Sequence, residues 1–150
     1  MTKAYIFTSY AHEDEELKNE MDKHLKVLKR SGKIDTWNDR ALIAGQEWDK
    51  NIMDELSKAN IILLLISVDF NASDFIWEKE LTEAMKRHEE GSAFVVPIIL
   101  RNCKWTDMPY AKLQALPRNA QPISEFEDKD AAFTFVATEI ERLVDHILAK

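Results

Sequence analysis

Short apolar runs alternate with stretches of helical periodicity along this chain, the pattern of βαβ units built onto a parallel sheet. Ala4-Tyr5-Ile6-Phe7-Thr8-Ser9 reads as a first strand. Over residues 13–30, Leu17, Met21, Leu25 and Leu28 recur at helical spacing, with acids at the start and bases at the end as the helix dipole prefers. Gly32 is placed to stop that helix. Residues 33–37 form a short second strand, residues 38–46 a polar loop, and Trp48, Ile52, Leu56 and Ala59 mark a second helix. The unbroken run Ile61–Ile66 is the candidate for a fully buried central strand. A loop over 67–74 follows, where Ser73 or Asp74 can cap a third helix reaching about His88, with Gly91 beyond its end. Residues 94–100 read as a fourth strand and Pro122-Ile123-Ser124 as a brief fifth. Val136, Ile140, Leu143, Val144 and Ile147 define a last amphipathic helix.

Five strands interleaved with helices predict an α/β, three-layer doubly wound domain with a flavodoxin-like parallel five-stranded sheet. The chain of 150 residues is sized for a single domain, 1–150. In such sheets ligands bind at the carboxyl ends of the strands where strand order reverses, here between the first and third strands. That geometry nominates Ser9, Tyr10, Ser67, Asp74, Trp77, Glu78 and Glu80 without naming a chemistry.

Composition narrows the chemistry. Three scattered glycines exclude a glycine-rich phosphate loop, and four isolated histidines with one cysteine offer no metal-ligand spacing, so no metal is expected. The lone Cys103 favours a reducing, cytoplasmic setting. A net charge of −7 argues against nucleic acid as a direct partner, and no apolar run approaches the ~20 residues that span a bilayer. A phosphoacceptor receiver domain shares the expected topology. It needs an aspartate closing the third strand and a lysine closing the fifth, yet Asp69 falls beyond the apolar run and no lysine follows Pro122-Ile123-Ser124.

Two tryptophans flank the 38–46 loop, which also carries Asp39, Arg40 and Gly45. Loops of this length between a short strand and a helix are often functional. Trp48 leads an apolar helical stripe and reads as a core anchor.

From about residue 5 to 124 the chain resembles the bacterial branch of the Toll/interleukin-1 receptor (TIR) domain family. The resemblance is carried by Ile6-Phe7-Thr8-Ser9-Tyr10 with Asp14, and by Trp37, Asp39, Arg40, Leu42, Gly45 and Trp48 around a loop like the family's BB loop. It continues through Ile66-Ser67, Phe70 and Ser73-Asp74-Phe75, then Val96-Pro97-Ile98-Ile99-Leu100, Cys103, Trp105 and Leu113-Gln114-Ala115-Leu116-Pro117. The order and spacing of the blocks give it its weight.

The resemblance implies one of two activities. One is NAD+ nucleosidase activity that cleaves the nicotinamide–ribose bond, in the effector module of a bacterial anti-phage immune system. The other is a non-catalytic adaptor acting through TIR–TIR contacts. NAD+ would be substrate rather than cofactor, and the other partners would be further TIR domains and a sensor on a longer chain. The family uses one glutamate on the third helix, commonly after an aromatic-Cys pair, where this chain has Ile76. The bacterial spacing assigns that glutamate to Glu80, with Glu78 as rival, in a partly exposed site. Ser9, Tyr10, Asp39, Arg40, Ser67 and Trp77 are the implied substrate contacts, and Arg40, Leu42, Ile43 and Gly45 the implied assembly loop. One carboxylate can suffice because nicotinamide leaves the cationic pyridinium as a neutral molecule. No general acid is required, and the carboxylate has only to stabilise the oxocarbenium charge on the ribose.

Overall fold

Four parallel strands in the order β2-β1-β3-β4 form the sheet of the computed structural model, which describes residues 2–37, 45 and 47–149. The chain runs β1 (Ala4–Ser9), α1 (Glu15–Arg30), β2 (Ile34–Thr36), α2 (Trp48–Lys58), β3 (Ile61–Ile66) and α3 (Val68–Ala72). A π-helical turn (Ile76–Leu81), α4 (Thr82–Glu89), β4 (Phe94–Ile99) and α5 (Lys129–Leu148) complete it. β3 is interior, paired with β1 from Ile6↔Ile61 to Ser9↔Leu64 and with β4 from Ile61↔Phe94 to Ile66↔Ile99. All six of its side chains are fully buried. At roughly 1.5–3 kcal/mol each this strand is the centre of the core.

Alternation along β3 divides the core in two. Ile61, Leu63 and Leu65 join Met21, Leu25, Phe133, Val136 and Ile140 under α1 and α5. Ile62, Leu64 and Ile66 join Ile52, Leu56, Phe70, Ile76, Leu81 and Ala84 under α2, α3 and α4. The three-layer expectation therefore holds. Lys33 fastens the entry to β2 onto α5 through Glu141 at 2.9 Å and Asp145 at 3.0 Å.

The expected fifth strand is absent among the described residues, which corrects the strand count. Residues 123–125 form a 3-10 turn instead. The outer edge of β4 is taken by Leu116, whose N–H donates to the Pro97 carbonyl at 2.9 Å and whose carbonyl accepts from Ile99 N–H at 2.8 Å. Pro117 and Pro122 have no N–H to extend a ladder, so a single bridge is all this segment can make. The apolar signal at Ile123 was a packing signal: its side chain is fully buried beneath α1 and α5.

The segment after β3 differs too. Residues 68–72 are helical rather than a loop, because the Ser67 hydroxyl accepts from Phe70 N–H at 3.0 Å and caps the turn. Ser73 then caps the next turn as expected, its hydroxyl accepting from Ile76 N–H at 3.2 Å. Gly91, at φ +72, ends α4, with its N–H on the His88 carbonyl at 3.0 Å.

Candidate functional site

The switch between β1 and β3 opens into a cleft of about 350 Å3. Thr8, Tyr10 and Ala11 enter it from the end of β1, Trp37 from the end of β2, and Trp48 and Ile52 from α2. Phe75, Ile76 and Glu80 enter it from the π-helical turn and the residue before it. Aromatic rings form two of the walls. Trp37 stacks on Phe7 with centroids 5.7 Å apart, and Trp48 lies against Phe75 at 4.8 Å.

Trp48 corrects an expectation. It sits at the first position of α2 with 44% of its surface exposed. The indole lines the cleft, and the buried residues of α2 are Ile52 and Leu56. A residue in the first helical turn overhangs the end of the element rather than its packed face.

The two glutamates part company in the π-helical turn. Glu80 follows Ile76 by four residues and precedes Ala84 by four, so it occupies an apolar-stripe position and is 7% exposed. Glu78 lies on the other side, exposed and off the cleft. π-helical turns of this kind recur at functional sites. Burial pushes the Glu80 carboxyl up to about 7. Ser9 opposes that shift: its buried hydroxyl has no full hydrogen bond among the described residues but stands close enough to the carboxylate to favour the ionised form. The partly exposed carboxylate expected from the sequence is in fact an enclosed one, because the i, i+4 register aims it inward.

The other expected residues scatter. Tyr10 lines the cleft, with the Lys18 ammonium 5.2 Å from its ring centroid. Ser67 is buried away from the cleft and donates to the Asp14 carboxylate. Trp77 is half exposed and Asp74 exposed, both off the cleft lining. Asp39, Arg40, Leu42 and Ile43 lie outside the described residues. Gly45 has φ +91, a backbone state that favours glycine.

Three site groups escaped the sequence reading. Lys18 is buried on the cleft wall, on the face shared by Asp14, Met21, Leu25 and Leu28. Its i−4 and i+3 spacing to Asp14 and Met21 was the available signal. Arg101 pairs with both Asp14 and Asp69, a long-range contact that no local pattern announces. Phe75 was noted only as a motif residue.

Comparisons with known proteins come down on one family. A family model for the TIR domain matches residues 6–136. The protein y4lF of Sinorhizobium fredii is 46% identical over 135 residues, 90% of this chain and 42% of that protein, so the chain spans less than half of the relative's length. Among solved structures, the TIR domain of the Toll-related receptor TRR-2 from Hydra magnipapillata is similar at a TM-score of 0.67 and 22% identity. That match covers 93% of this chain and 97% of the other. The RPS4 and RRS1 TIR domain heterodimer is similar at a TM-score of 0.55 and 11% identity, covering 93% and 96%. No described helix is long and apolar enough to cross a membrane.

Proposed function

The chain belongs to the TIR domain family, and from that premise we propose that it is an NAD+ nucleosidase that cleaves the nicotinamide–ribose bond with Glu80 as its catalytic carboxylate. The observation that carries this reading is the enclosed Glu80 carboxylate, pushed up to about 7 by burial, in a cleft walled by aromatic rings. Ionised, Glu80 stabilises the oxocarbenium charge of the ribose as nicotinamide departs neutral. Tyr10, Trp48 and Phe75 offer faces for flat heteroaromatic rings. The products are nicotinamide and ADP-ribose, linear or cyclic.

Assembly belongs to the same proposal. One structural neighbour is a TIR domain heterodimer by name, and contacts between TIR domains fit a module activated by association. The bacterial relative is more than twice as long as the segment it shares with this chain, which leaves room there for a sensor. A cytoplasmic effector module of a bacterial anti-phage system, spending NAD+ when assembled, is the biological role these features support.

The test is incubation of concentrated protein with NAD+ and chromatographic measurement of free nicotinamide. Glu80→Gln should lower the rate by at least ~10²–10³-fold, as when one preorganised electrostatic stabiliser is lost. Glu78→Gln should remain active. Full activity in Glu80→Gln, or none in the unaltered protein when concentrated and crowded, sinks the reading.

A further inference from the structure

Thr8, Lys18 and Trp37 belong to two clefts at once. The second, of about 160 Å3, adjoins the carboxylate cleft and is completed by Asp22, Leu25, Lys26 and Lys29 of α1 with Thr36 of β2. Its character is opposite to that of the first. Three lysines line it in a chain whose net charge is −7.

The pairing of those ammoniums is incomplete. Lys18 is 6% exposed, with its Nζ 2.8 Å from Asp22, and its stem fills an apolar-stripe position of α1. A leucine there would serve the core without the cost of desolvating a charge. Among the described residues Lys29 has only a distant partner, Asp35 at 3.9 Å. Lys26 makes no ion pair with any described residue. Among the described residues two carboxylates thus stand against three cations, and Thr8 and Thr36 line the same space. Cations at the end of a helix also complement its dipole, which accounts for Lys26 and Lys29 as residue types but not for the buried Lys18.

We propose that this basic cleft is a diphosphate subsite, holding the pyrophosphate of a dinucleotide whose nicotinamide ribose lies at Glu80; the identity of the dinucleotide rests on the NAD+ reading above, whereas the anion site does not. Lys18, on the shared wall, is the cation nearest the reacting end. Lys26 and Lys29 supply point charges to the phosphates farther along α1.

Amide NMR with inorganic pyrophosphate tests the anion site apart from catalysis. Shifts should concentrate at Thr8, Lys26, Thr36 and Trp37, weaken with added salt, and require about tenfold more pyrophosphate in the Lys26→Gln/Lys29→Gln variant, whose exposed positions spare the fold. Lys18→Met should weaken binding further, and should it fail to fold the double variant decides. In NAD+ turnover the double variant should raise KM about tenfold and leave kcat unchanged, the mark of lost ground-state binding. Diffuse shifts, or the same affinity in the double variant, overturn the subsite. Pyrophosphate binding in this cleft without nicotinamide release keeps the subsite and removes the NAD+ reading. Nicotinamide release with KM unmoved in the double variant does the reverse.

Discussion

Arg101 donates from Nε to Asp14 Oδ1 at 2.7 Å although 87 residues separate them, and so ties the end of β4 to the turn that follows β1. A second guanidinium nitrogen reaches Asp69 on α3, and the Ser67 hydroxyl donates to the other Asp14 oxygen. The Asp14 side chain is almost fully buried, so these groups are what keep its charge tolerable. They also fix three of the elements that frame the cleft. Arg101→Met should destabilise the fold by about 2–3 kcal/mol, less than the ~3–5 kcal/mol for breaking a fully buried pair, because a third of the arginine faces solvent. Asp14→Asn added to Arg101→Met should recover part of that loss. Urea unfolding measures both, and a single-variant loss under about 1 kcal/mol would make the network peripheral.

Glu80→Gln should stabilise the protein at high pH, contrary to the unchanged midpoint that a partly exposed carboxylate would give. The folded-state value of about 7 lies above the reference 4.5, so the native state holds its proton where the unfolded chain has lost it. Below about pH 4.5 both states are protonated and the group contributes nothing. From there to about 7 stability falls as pH rises, and beyond 7 the full penalty, on the order of 3 kcal/mol, is present. Glutamine cannot ionise and escapes it. Unfolding free energies at pH 4 and pH 8 should show the variant equal to the unaltered protein at the first and more stable at the second. A constant difference between the two would mean that the carboxyl titrates normally.

Much of the fold was legible because its signals are local. The run Ile61–Ile66 has no polar interruption, and such a segment can only be fully buried. Pro117 and Pro122, with no N–H to give a ladder, argue against a fifth strand, whereas the apolar Ile123 between Pro122 and Ser124 argues for one. At the site, periodicity could have separated Glu80 from Glu78, since only Glu80 shares a face with Ile76 and Ala84. The same argument marks Lys18 on α1. A polar residue on an apolar stripe is the most useful local signal this chain offers. The Asp14–Arg101 pair was beyond such reasoning, because its partners meet only once the sheet is assembled.

Turnover of NAD+ should rise with pH and level off, with a midpoint near 7 set by ionisation of Glu80. Ser9 favours the ionised form, so Ser9→Ala should move that midpoint upward and lower the rate at pH 7 more than at pH 9. A rate-against-pH series on both proteins decides this. A loss that is uniform with pH would assign Ser9 to packing, where its buried hydroxyl has no full partner among the described residues.

Specific activity should increase with protein concentration. The Glu80 cleft, at about 350 Å3, lies at the small end of ligand pockets, ~300–1,000 Å3, so a contact from a neighbouring copy would add enclosure to it. Exposed indoles at Trp48, on the cleft, and Trp77, off it, are of the residue type that dominates binding surfaces. Contacts of one surface against a different surface of the next copy build open assemblies, so catalysis and association would share one equilibrium. Leu42→Asp and Arg40→Glu, in the loop whose sequence resembles the family's assembly element, should remove the concentration dependence, and Trp77→Ser, on a described surface, should weaken it. Trp77→Ser should not alter thermal unfolding of the dilute domain, since exposed substitutions usually change stability by no more than about 0.5 kcal/mol. Activity per molecule that stays flat over a hundredfold range of concentration, with the loop variants unimpaired, would place a complete site in every single copy.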